Sequence, residues 1–298
     1  MAETTLRTRL SRKPIVVAPG VYDALTAHIA QQAGFETLYV SGGALAYTRV
    51  GRPDIGLVSM SEVADTLALI RDRVTAQLIV DADTGYGNAL NVMRTVRRFE
   101  QSGANAIQLE DQDFPKRCGH LDGKALIPAV EMCGKIRAAA DARHSRETLI
   151  IGRTDAVAVE GVERALERAE LYREAGADIL FVEAPKERGD LDRIASALGS
   201  KTPLMANMVE GGKTAPLSGS ELEAIGYSLV IFPGGIVRAL GKMASEYYAS
   251  LAANGTTEPF RPRMLDFDGL NALLGTPEMI ALGKSYEAAP EKKPGARS

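Results

Sequence analysis

Short runs of aliphatic and β-branched residues alternate along the chain with longer stretches whose apolar positions recur every three or four residues. The first pattern predicts buried strands and the second amphipathic helices. Strands are predicted at Ile15–Ala18, Thr37–Val40, Gln77–Asp81, Ala106–Leu109, Leu149–Gly152, Ile179–Val182, Leu204–Ala206 and Leu229–Phe232. Between and after them the spacing predicts helices over Tyr22–Gln32, Ser61–Arg73, Asn91–Ser102, Pro128–Arg143, Val162–Ala175, Leu191–Leu198, Ser220–Ile225 and Ile236–Ala253.

Several of these helices stop in the same way. Gly34, Gly103, Gly176 and Gly226 each stand three positions before the next strand, where a positive φ ends a helix without a Cβ penalty. Such a repeated strand–helix unit suits either a doubly wound open sheet or a barrel. Eight repeats in 298 residues favour a closed (β/α)8 TIM-like barrel. Ser41-Gly42-Gly43 continues as Ala44-Leu45-Ala46, so the second strand is not followed by the glycine fingerprint of a dinucleotide site. No nucleotide-binding P-loop occurs either. After the barrel, residues 254–267 carry Gly255, Pro259 and Pro262 and read as a linker. Two short helices, Asp268–Leu274 and Pro277–Ser285, follow. We expect one domain over residues 1–285, with C-terminal helices from about 254 and a disordered tail over 286–298.

The overall charge narrows the partners. Thirty-five basic and 38 acidic residues leave a net charge of -3, with no basic field for nucleic acid. No apolar run is long enough to span a bilayer, and residues 1–12 lack the apolar core of a secretory leader. Two cysteines make no disulfide scaffold, so the expectation is a reducing, cytoplasmic setting.

The chemistry collects at strand ends. The third strand closes on Asp81-Ala82-Asp83-Thr84-Gly85-Tyr86-Gly87-Asn88. Strand period places Asp81 and Asp83 on one side while the extended conformation lasts. Two such carboxylates repel unless a cation or a shared proton lies between them. Asp83 or Asn88 could instead merely cap the next helix, which accounts for one acid and not for both. The fourth strand ends similarly, on Glu110-Asp111-Gln112-Asp113, where a surface acidic patch is the plainer account of Asp111 and especially of Asp113. In a barrel all these ends share one rim, and oxygen ligands alone suit Mg2+ or Mn2+ better than zinc. Arg153-Thr154-Asp155 ends the fifth strand, and an arginine there can clamp a carboxylate with both arms of its fork. Its plainer role is a salt bridge to an acid such as Glu183. Ser41-Gly42-Gly43 can offer N–H groups and a hydroxyl to an anionic oxygen, and Glu183 and Asn207 end the sixth and seventh strands.

A long aperiodic segment, residues 110–127, reads as a lid or binding loop. It carries Lys116-Arg117-Cys118-Gly119-His120, where cations favour the thiolate and make Cys118 a credible acid–base or nucleophilic group. Cys133, beside Met132 and Ile136 in a helical run, reads as core, and His28 and His144 as structural or solvated.

Taken together, Tyr39-Val-Ser-Gly-Gly, Pro53-Asp54-Ile-Gly56, Asp81-Ala-Asp83-Thr-Gly, Glu110-Asp-Gln, Lys116-Arg-Cys-Gly-His120 and Arg153-Thr-Asp155 resemble the isocitrate lyase and phosphoenolpyruvate mutase superfamily from about residue 12 to 285. The cysteine loop is similar to that of its lyase branch. Asp83-Thr-Gly-Tyr-Gly-Asn-Ala-Leu-Asn91 and Asn207-Met-Val-Glu-Gly-Gly-Lys213-Thr214 are most like 2,3-dimethylmalate lyases, petal-death proteins and 2-methylisocitrate lyases. The resemblance implies a homotetramer of (α/β)8 barrels that exchange C-terminal helices. It implies a Mg2+ site with Asp83 as the nearest ligand and with Asp81 and Glu110, Asp54 nearby, acting through bound waters. Ser41, Gly42, Gly43 and Arg153 would hold the keto-acid end of a small carboxylate substrate, and Glu183 and Asn207 would complete the pocket. Cleavage of a 2-hydroxy di- or tricarboxylate would yield an α-keto acid such as pyruvate and a carboxylate-stabilised carbanion. Lys116, Arg117 and His120 would supply positive field, and Cys118 the returning proton. The first base is left between Tyr39 and a metal-linked water. Phe232-Pro233-Gly234-Gly235 replaces the serine- or threonine-bearing stretch common among these lyases, which leaves oxaloacetate hydrolysis to oxalate and acetate as the alternative, with a phosphonate substrate behind it.

Overall fold

A computed structural model describes residues 5–119, 121, 123–212, 214 and 216–287. The strands are β1 (Val16–Val21), β2 (Thr37–Val40), β3 (Gln77–Asp81), β4 (Ala106–Glu110), β5 (Leu149–Thr154), β6 (Ile179–Val182), β7 (Leu204–Asn207) and β8 (Leu229–Phe232). They close in sequence order into a parallel barrel, sealed where Val16 pairs with Leu229 and Ala18 with Ile231. The helices are α1 (Leu6–Leu10), α2 (Ala24–Gln32), α3 (Gly42–Leu45), α4 (Met60–Arg73), α5 (Ala89–Gln101), α6 (Ala129–Ala142), α7 (Ala156–Val159), α8 (Val162–Glu174), α9 (Arg188–Leu198), α10 (Gly219–Ile225), α11 (Gly235–Asn254), α12 (Phe267–Leu274) and α13 (Thr276–Ser285).

Strand alternation builds two cores. Inward residues such as Val16, Tyr39, Ile79, Ile151, Phe181 and Leu229 fill the barrel interior, while Leu38, Leu78, Val80, Ile107 and Ile150 face outward under the helices. Leu6 and Leu10 of α1 join the interior group, so this short helix plugs the barrel. The helix-ending glycines named above all take positive φ, from 94° at Gly34 to 111° at Gly226.

Four strands match their predicted bounds. The other four run one to three residues further toward the chemistry, because polar residues such as Glu110, Arg153 and Asn207 still belong to the ladder. The segment expected as a plain linker instead holds a 3-10 turn at Glu258–Arg263, with Phe260 buried against Tyr247. By its contacts the chain forms two compact units, residues 1–240 and 241–298. Most of the expected tail, 288–298, lies outside the described residues, as do His120 and Lys213. No helix among the described residues is long and apolar enough to cross a membrane.

Candidate active site

The C-terminal ends of the strands enclose a cavity of about 70 Å3, lined by Tyr39, Ser41, Asp54, Asp81, Lys116, Cys118, Arg153, Glu183 and Asn207 among others. A wider groove of about 980 Å3, near Arg97, His144 and Ser145, is lined from the opposite ends of the strands and holds none of these groups.

On the acid side, strand geometry ends sooner than expected. β3 stops at Asp81, and Asp83 turns into the left-handed region (φ 47°), so simple alternation does not relate the two carboxylates. They stay coupled because the Asp83 N–H donates to Asp81 Oδ1 at 3.2 Å. Gln108 donates from Nε2 to the same oxygen at 3.1 Å and accepts at Oε1 from the Tyr39 hydroxyl at 3.0 Å. A Cβ on Gly42 would lie 3.1 Å from Asp81 Oδ2 and one on Gly43 3.3 Å from Asp54 Oδ2, which explains the glycine pair: backbone runs against carboxylates here. Ser41 caps α3, its Oγ accepting from Ala44 N–H at 3.2 Å. Asn88 caps α5, so the plain reading of that residue holds.

Lys116 enters this cluster from the loop. Its ammonium sits 2.5 Å from Asp54 Oδ1 and 2.6 Å from Asp83 Oδ1, the latter an ion pair without hydrogen-bond geometry. One ammonium cannot balance the acids gathered here. Burial, partly offset by Lys116 and reinforced by Asp81 and Asp54, pushes the Asp83 carboxyl up to about 6. Burial likewise raises Glu110 well above the carboxylate range, against the pull of Arg153. For Lys116, burial works against the charge, but Asp83, Asp54 and Glu110 outweigh it and keep it protonated. Burial and the Asp81 charge hold the Tyr39 hydroxyl far above its ordinary value.

Arg153 occupies the other side. It donates to Asp155 from Nε at 2.9 Å and from Nη2 at 3.1 Å, lies 3.2 Å from Glu110 and stacks over Phe181 at 5.3 Å. Burial alone would raise Asp155, but Arg153 and then Lys124 hold it below the usual range. Both Glu183 oxygens accept from Asn207 Nδ2, at 3.2 and 3.3 Å.

Asp111 is fully buried, so the surface-patch account left open for it fails. It accepts from Thr154 Oγ1, the Asp155 N–H and the Tyr172 hydroxyl at 2.7, 2.9 and 2.7 Å. Those donors lie far along the chain, so no local signal marked them. Asp113 is exposed, as expected. Cys133 is core, its thiol 3.6 Å from the Leu171 carbonyl. Sequence reasoning missed Tyr47, Arg238 and Lys124. Tyr47 and Arg238 line the cavity from a π-turn and from α11, and neither segment carries a motif.

The Lys116–Cys118 loop lies over these groups. Cys118 N–H donates to the Asp54 carbonyl at 3.2 Å, and the Gln112 side chain bonds both the Arg117 N–H and its carbonyl, at 2.9 and 2.8 Å. The thiol is partly exposed and lines the cavity. Among the described residues no three His, Cys, Asp or Glu side chains converge as ready ligands. The donor set nevertheless suits a hard cation: all the acids offer oxygen, Glu110 Oε1 is buried without a hydrogen-bond donor, and Asp83 Oδ1 already faces a cation in Lys116.

A closed (β/α)8 barrel with buried carboxylates, a forked arginine and a loop thiol at its mouth defines an enzyme that handles small oxygen-rich anions. Residues 6–252 match the family model described as phosphoenolpyruvate phosphomutase. The chain is 41% identical over 281 residues to the 2,3-dimethylmalate lyase of Eubacterium barkeri, covering 94% of this chain and 96% of that protein. It is 47% identical over 251 residues to a 2-methylisocitrate lyase of Aeropyrum pernix, covering 84% and 80%. A crystal structure of 2,3-dimethylmalate lyase superposes with a TM-score of 0.89 at 33% identity, covering 98% of this chain and 97% of that one. The chain belongs to the PEP mutase/isocitrate lyase superfamily and, within it, to the lyase branch.

Proposed function

We propose that this enzyme cleaves a 2-hydroxy di- or tricarboxylate of the 2,3-dimethylmalate or 2-methylisocitrate type. The observation that carries the proposal is that Cys118, Arg153, Asp54, Asp81 and Glu183 line one small cavity, with Asp83 and Glu110 held against it through Lys116 and Arg153. Arg153 binds the carboxylate at the keto-acid end, beside the Ser41–Gly43 turn, with Glu183 and Asn207 closing the wall. Asp83, Asp81 and Glu110 would hold Mg2+, or Mn2+ in its place, and such an ion would lower the pKa of the substrate hydroxyl and offset charge on the neighbouring carboxylate. A water held at the acid cluster would take the hydroxyl proton as the C2–C3 bond breaks, and the electron pair of that bond passes to C3, the carbon beside the departing carboxylate. Lys116 and Arg117, with His120, supply positive field for that carbanion, and Cys118 Sγ–H returns one proton to it. 2,3-Dimethylmalate would thus give pyruvate and propionate, and 2-methylisocitrate pyruvate and succinate. Tyr39 keeps its proton in this scheme and positions Asp81 through Gln108. The closed loop excludes water while the carbanion lives.

We also infer a homotetramer with exchanged C-terminal helices. No residue of the 20-residue α11 is buried, and α12 and α13 expose Phe267, Leu270, Met279 and Ile280. Apolar helix faces of that kind call for a partner surface.

The test is a panel of short 2-hydroxy diacids and triacids, with products read by mass. Pyruvate should appear, EDTA should stop its release, and Mg2+ should restore it. Oxalate and acetate from oxaloacetate, without pyruvate from any hydroxy acid, would replace the lyase with the hydrolase.

A further inference from the structure

Lys124 stands six residues after Cys118 on the same loop. The loop is a hairpin zipped at its base: Asp113 N–H donates to the Ala125 carbonyl and Ile127 N–H to the Asp111 carbonyl, both at 2.9 Å. Lys124 leaves this base on the inner side, and its side chain is 1% exposed. Its ammonium donates to the Gly119 carbonyl and lies 3.3 Å from Asp155 Oδ1. Asp155 is the carboxylate that holds Arg153 by its fork, and Asp155 is itself pinned through its N–H to the buried Asp111. Gly119 seats directly on Glu183 and Arg153, where no side chain would fit.

A loop lysine need not be buried, since an apolar side chain could fill that space without the cost of desolvating a charge. Two acceptors face the ammonium instead, one on the loop and one on the barrel. We infer that Lys124 is a positioning residue, a latch that ties the Cys118 turn to the carboxylate orienting Arg153. Thiol and anion clamp then share one anchor, so the loop seats over the cavity in register with the bound carboxylate. Lys124 also neutralises part of Asp155, which leaves more of the Arg153 charge for an incoming anion. This rests on the roles given above to Cys118 and Arg153.

The test compares wild type with Lys124→Met, Lys124→Gln and Lys124→Arg. Two rates are read: turnover, and alkylation of each cysteine by iodoacetamide, located by peptide mass. Buried Cys133 is the internal control. In Lys124→Met, Cys118 should be alkylated about tenfold faster and kcat should fall about tenfold, the factor one charge-assisted hydrogen bond is worth. Cys133 should not change. Loss of a nearby cation alone would slow alkylation by disfavouring the thiolate, so acceleration reports opening of the loop. Lys124→Arg should remain close to wild type in both rates. Lys124→Gln, which keeps a donor for Gly119, should accelerate alkylation in the same direction and decides the matter if the methionine variant fails to fold. An unchanged Cys118 rate, or a parallel rise at Cys133, overturns the latch. Absence of turnover on every hydroxy acid would overturn the lyase proposal, while the alkylation ratio would still decide Lys124.

Discussion

A methyl group at Gly119 would overlap the Glu183 carboxylate and the Arg153 guanidinium. Gly119→Ala should therefore keep the cysteine turn from seating while leaving the barrel intact. We expect kcat/KM to drop about a hundredfold, the size of effect a roughly 1 Å misplacement can cause, with the thermal midpoint unchanged. Wild-type activity would mean that the turn need not reach Arg153. Residues at strand ends were legible in the sequence for a physical reason: a polar side chain closing an apolar run is costly unless something uses it. Asp81, Asp83, Glu110, Arg153, Glu183 and Asn207 all met that description and gather at one mouth. Asp111 did not declare itself, because its burial depends on donors from β5 and α8. Lys124 hid for the same reason, since its partner Asp155 lies 31 positions further along the chain.

Elements were easier to foresee than contacts. Apolar period marks every barrel strand, and glycines mark where several helices end, so the order and count of the main units followed from pattern. Short pieces escaped: α1 has five residues, α3 and α7 four each, too few for a period to show. Yet α1 matters, because Leu6 is 1% exposed and fills the base of the barrel core. Leu6→Ala should cost about 2–5 kcal/mol, as for other buried leucines, measured by urea denaturation. A cost under about 0.5 kcal/mol, typical of surface substitutions, would mean that the plug is dispensable. The turn after β3 could not be foreseen from alternation, since the left-handed Asp83 reflects the crowding of carboxylates and backbone around it.

For the whole molecule, the tetramer proposed above rests on the exposed apolar faces of α11, α12 and α13. Sedimentation should give about four times the 31.8 kDa chain mass, and Phe267→Asp with Leu270→Asp should lower it; a monomeric wild type would refute exchange of these helices. Tetramer or not, the central claim concerns one proton. Turnover of 2,3-dimethylmalate in 2H2O measures its path, because the Cys118 thiol exchanges with solvent before it acts. We predict pyruvate together with propionate carrying a single deuterium at C2, formed far more slowly by Cys118→Ser. Propionate free of deuterium, or labelled at the wild-type rate by Cys118→Ser, would contradict the account.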